Sequence, residues 1–103
     1  MNVISEQRNE ASGYIEYHLI RIGTWDLFED LARFFEKKYG AEPQVKNDGI
    51  MTREWQFWCD GEYFIFKHHE DIGNWFYSCS EKGDSELMRT IATDLQYRLG
   101  KEE

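Results

Sequence analysis

A chain of 103 residues, 41% hydrophobic and 31% charged, is long enough for one core and too apolar to stay disordered, so neither metal nor disulfide is required for folding. Its 20 acidic and 12 basic side chains give a formal charge of −8, which repels phosphate and argues against nucleic acid and anionic membranes as partners. There is no apolar run of roughly 18 residues to span a membrane, no apolar signal segment in the opening Met1 to Glu10, and only two cysteines, Cys59 and Cys79; together these predict a reducing, cytoplasmic setting.

Residues 1–12 are polar and patternless and read as a flexible N-terminal lead to a single domain over 13–103. Tyr14 to Ile22 is rich in aromatic and β-branched types, the mark of a strand. Gly23 ends it, and Thr24 is a suitable cap for a helix over Trp25 to Tyr39. In that helix Leu27, Phe28, Leu31, Phe35 and Tyr39 recur at helical spacing, and Gly40 and Pro43 stop it. Residues 44–80 read as a three-stranded meander, with strands over Met51 to Cys59, Glu62 to His69 and Asn74 to Ser80. Asp84 or Ser85 then caps a second helix, whose stripe is Leu87, Met88, Ile91, Ala92, Leu95 and Leu99. The expected class is α+β, in the order β-α-β-β-β-α: an antiparallel meander sheet with two helices packed on one face.

Asp60-Gly61 is a two-residue type I′ turn signal, and such a turn fixes register. It places Trp58 opposite Tyr63, Phe57 opposite Phe64 and Trp55 opposite Phe66. Trp55, Phe57, Cys59, Phe64 and Phe66 then share the face assigned to the helices, and Glu54, Gln56, Trp58, Tyr63, Ile65 and Lys67 share the other. Read as a four-residue turn, 70–73 adds Trp75, Tyr77 and Cys79 to the core face and Phe76 and Ser78 to the outer one. Two helices cover only one side of a small sheet, so Trp58, Tyr63, Ile65 and Phe76 are left for water, for the N-terminal lead, for a second copy of the chain or for a partner.

Catalytic and metal chemistry find little support. His68 and His69 are adjacent in a strand and point to opposite faces. On the expected register Cys59 and Cys79 are separated by a strand, too far for a disulfide and poor for zinc. His69-Glu70-Asp71 reads as a solvated turn, and there is no nucleophile elbow or phosphate loop. No cofactor, no metal and no enzymatic activity are expected. Residues 54–71 carry Glu54, Asp60, Glu62, Glu70 and Asp71 against Lys67 alone.

The chain is short, acidic and rich in Trp and Phe, with helices expected on one antiparallel sheet. In that character it resembles the small immunity proteins of bacterial toxin systems, contact-dependent growth inhibition included. The stretch Arg53-Glu54-Trp55-Gln56-Phe57-Trp58-Cys59-Asp60-Gly61-Glu62-Tyr63-Phe64-Ile65-Phe66, with Asn74-Trp75-Phe76-Tyr77, is also similar to small bacterial domains of unknown function. No family motif matches residue by residue. The resemblance implies an inhibitor that covers the active site of a basic, nuclease-type toxin. The charge and aromatic pattern assign partner binding to Glu54, Trp58, Asp60, Glu62, Tyr63, Glu70, Asp71 and Phe76. Two other classes stay open: an adaptor or homodimeric interaction module, and a small enzyme or ligand-binding domain.

Overall fold

The computed structural model describes residues 2–20 and 25–100. Six strands form one antiparallel sheet: β1 (Ile4–Arg8), β2 (Ile15–Leu19), β3 (Glu42–Asp48), β4 (Thr52–Cys59), β5 (Glu62–His69) and β6 (Gly73–Ser78). Their spatial order is β1-β2-β6-β5-β4-β3. Helix α1 (Trp25–Tyr39) follows β2, and α2 (Glu86–Leu99) follows a short 3-10 turn over Glu81–Gly83. The α+β class stands, with two more strands than the sequence pattern predicts.

Both added strands are sheet edges, and both are too polar to announce themselves. β1 lies in the segment expected to be a flexible lead. It is held by pairing with β2, by burial of Val3, and by Gln96 of α2, whose side-chain oxygen accepts from the amides of Val3 and Ile4. β3 has a bulge between Pro43 and Val45 and pairs with β4; proline and a bulge suit an edge strand, where no further neighbour needs its amides. The expected strand end at Ile22, the Gly23 stop and the Thr24 cap lie outside the described residues.

The helices bury their stripes against one face of the sheet. Phe28 of α1 stacks on Phe66 with ring centres 4.2 Å apart, and Phe35 meets Phe57, Phe64, Phe66 and Phe76 within 6.0 Å. Met88, Ile91 and Leu95 of α2 complete the same core. Ser85 caps α2 by accepting from the Met88 amide. The Tyr39 hydroxyl donates to Asp94 at 2.6 Å and ties α1 to α2. Arg53 is buried where α1 crosses β4; it donates to Asp48 and Glu29, and its guanidinium lies 4.7 Å from the Phe28 ring centre.

The β4–β5 register matches the expectation pair for pair, from Trp55 opposite Phe66 to Cys59 opposite Glu62. Asp60 and Gly61 both adopt positive φ, 50° and 81°, as a type I′ turn demands. The β5–β6 register does not match. Phe66 faces Phe76, not Tyr77, and His68 faces Asn74, not Trp75. The turn holds three residues rather than four: the Ile72 amide donates to the His69 carbonyl, and Gly73, at φ 109°, already pairs with His69. A slip of one residue exchanges the faces of a whole strand. Phe76, expected on the outer face, is therefore completely buried under the helices, and Ser78 goes with it, while Trp75 and Tyr77 turn outward.

Candidate functional site

The sheet face opposite the helices carries no secondary-structure layer among the described residues. Cross-strand pairing arranges its side chains in transverse rows. One complete row runs Ser5, His18, Trp75, Lys67, Glu54, Asn47 from β1 to β3. The next contains Tyr77, Ile65, Gln56 and Val45. The row at the Asp60 end holds Tyr63, Trp58 and Glu42.

Trp58 and Tyr63 are the prominent rings of this face. Their centres are 4.7 Å apart, and they remain 38% and 42% exposed. Val45, in the adjacent row opposite Gln56, is 49% exposed. Trp75, though on the same face, is buried: the His18 ring stacks on it at 5.3 Å, and the Lys67 ammonium lies 5.8 Å from its centre. Glu16, Glu42 and Glu54 supply negative charge, and Lys67 is the one lysine or arginine on the face among the described strand residues. Lys67 is 3.4 Å from Glu54. Burial opposes its charge, yet Tyr77 and Glu54 outweigh that and hold its pKa above the ordinary lysine value.

The residues expected to bind a partner do not form one patch. Glu54, Trp58 and Tyr63 share the outer face, with Asp60 exposed at the hairpin tip beside them. Glu62 points to the helix side, where it accepts from the hydroxyls of Ser78 at 2.7 Å and Ser85 at 2.8 Å; it ties β5 to β6 and to the start of α2. Glu70 and Asp71 are exposed at the other end of β5, on the order of 25 Å away along an eight-residue strand. Phe76 is in the core and contributes nothing to the outer surface.

Sequence reasoning missed Tyr77, Tyr14, Glu16 and Cys79 as members of this face. Gly73 carried the signal, since a glycine closing a three-residue hairpin loop sets the parity of the strand after it. With that parity Tyr77 and Cys79 turn outward, and Tyr14 meets Tyr77 edge to face at 5.9 Å. The cysteines thus lie on opposite faces rather than together: Cys59 is buried and donates to the Tyr39 carbonyl, and Cys79 is exposed, both as free thiols. Burial, with Asp60 and Glu62 nearby, pushes the Cys59 thiol up to about 11. His68 is buried against Asn74 at 2.7 Å, and His69 Nδ1 accepts from the Asp71 amide in the turn.

The helix side offers a hollow of about 620 Å³ between the end of α1 and α2. Lys38 and Arg89 line it in equal number with Glu86 and Asp94, so it carries no net sign to select a charged partner. Comparison of the chain with protein-family models, with curated proteins and with solved structures returns no match.

Proposed function

We propose that this chain is a non-catalytic binding protein that presents its outer sheet face to a basic protein. Within that class, the reading taken from sequence character is an immunity protein that neutralises a nuclease-type toxin in the cytoplasm of a bacterium. The observation that carries the proposal is the exposed Trp58–Tyr63 pair set among the carboxylates of Glu42, Glu54 and Asp60. Large rings with a polar rim supply most of the affinity of a protein interface, and rim charges set the on-rate. A nuclease holds phosphate with cationic groups, and carboxylates can occupy those positions and close the site. A second copy fits this face less well, because self-pairing would set acidic rims against each other.

The test is capture of the partner in its native host followed by binding kinetics at two salt concentrations. Trp58→Ala should speed dissociation, by about 2 kcal/mol or more. Glu54→Lys should slow association and weaken its salt dependence. An acidic partner, or association indifferent to salt, contradicts the proposal.

A further inference from the structure

We infer that the outer face contains a receptor for one arginine side chain of the basic partner, a step that rests on the binding reading above. A cleft of about 410 Å³ lies between the 9–14 loop and strands β2, β4, β5 and β6. That volume is within the range of sites that enclose small ligands. One wall is the carboxylate of Glu16, whose side chain is only 14% exposed. One of its oxygens accepts from the Asn9 amide at 3.1 Å, and the other lies 2.9 Å from His18 Nε2. No lysine or arginine pairs with it among the described residues. A carboxylate so far removed from water is ordinarily matched by a cation.

The opposite wall shows the matched case. Glu54 has Lys67 at 3.4 Å, and the same ammonium lies 5.8 Å from the centre of the Tyr77 ring. The cleft therefore holds one carboxylate with a permanent cation beside it and one, Glu16, whose neighbours are the Asn9 amide and the His18 imidazole, which is cationic only when protonated. Tyr14 and Tyr77 line the space beside Glu16. A carboxylate next to an aromatic wall is the environment a guanidinium uses best, with N–H donors directed at the oxygens and the plane laid on the ring. A lysine ammonium is compact and strongly hydrated, so it gains less from the ring. A carboxylate ligand would be repelled by Glu16 and Glu54.

The probes are N-acetyl-arginine amide and N-acetyl-lysine amide, each titrated into the isotope-labelled full chain and followed by NMR. Arginine should give saturable shifts centred on Tyr14, Glu16, Tyr77 and Cys79, and lysine should bind more weakly by about tenfold. Glu16→Gln keeps the size of the side chain and one oxygen to accept from Asn9 while removing the charge, and should weaken arginine binding by about tenfold or more, the loss of a charge-assisted pair. Tyr14→Leu should weaken it without touching the carboxylate, and Glu36→Gln on α1 should change nothing. Absence of saturable shifts, an equal response to lysine, or unaltered binding in both cleft variants overturns the inference. A protein that still needs Trp58 for its partner but ignores arginine loses the receptor alone. One that binds arginine while Trp58→Ala and Glu54→Lys leave partner binding unchanged loses the docking face instead.

Discussion

Trp58 and Tyr63 are opposite one another across the β4–β5 hairpin, with ring centres 4.7 Å apart, on the side of the sheet that the helices leave open. Their neighbours in sequence, Phe57 and Phe64, are also cross-strand partners, stacked at 5.2 Å and fully buried. Alternation along two paired strands thus assigns one aromatic pair to the core and the next to the surface.

That division predicts unequal losses for similar truncations. Phe76→Ala removes a completely buried ring and should cost about 3–5 kcal/mol of stability. Trp58→Ala removes a ring still 38% exposed and should cost under about 1.5 kcal/mol, because little of its surroundings has to refill. Urea denaturation of the two variants measures both. Comparable losses would contradict the assignment of faces.

How far the fold was legible followed from how strongly each segment specifies itself. Asp60-Gly61 permits one turn, so every β4–β5 pair could be read from sequence. The 70–73 segment permits two readings, and counting Gly73 in the turn rather than in β6 moved Phe76 from the core to the surface. β1 and β3 escaped because edge strands need pairing partners more than apolar side chains, and Ile4–Arg8 and Glu42–Asp48 carry few of the latter. Of the candidate site, Glu54, Trp58 and Tyr63 were legible from the hairpin register. The cleft was not, because Glu16, Lys67 and Tyr77 come from three strands, and the neighbours β2 and β6 are far apart in sequence.

Acid should unfold the protein through two carboxylates. Hydrogen bonding from Arg53 holds Asp48 below the ordinary carboxylate value, and hydrogen bonding from Tyr39 does the same for Asp94. A lowered folded-state pKa means that the contribution is present above the unfolded value of about 3.9 and is lost as pH falls through the folded one. Denaturation midpoints should therefore drop below about pH 4, and Asp48→Asn with Asp94→Asn should flatten that drop. A profile unchanged by both substitutions would contradict this origin.

The thiols should differ in reactivity. In native protein, alkylation should reach exposed Cys79 first and spare Cys59, which is buried, hydrogen-bonded to the Tyr39 carbonyl and raised to about 11. Since the folded-state value exceeds the ordinary 9.0, the neutral Cys59 thiol stabilises the fold below that ordinary value and this contribution fades as pH rises through the folded one. Protein unfolded without reductant should label at both positions. An intramolecular bridge would contradict the placement of the two cysteines on opposite faces.

Site-specific photo-crosslinking in the native host tests the docking face most directly. A photoreactive residue replaces Tyr63 on the outer sheet face in one sample and Tyr97, 68% exposed on α2, in another. The account predicts a covalent adduct from position 63, none from position 97, and a partner of strongly basic composition. An adduct formed only from position 97, or an acidic protein captured at position 63, would contradict it.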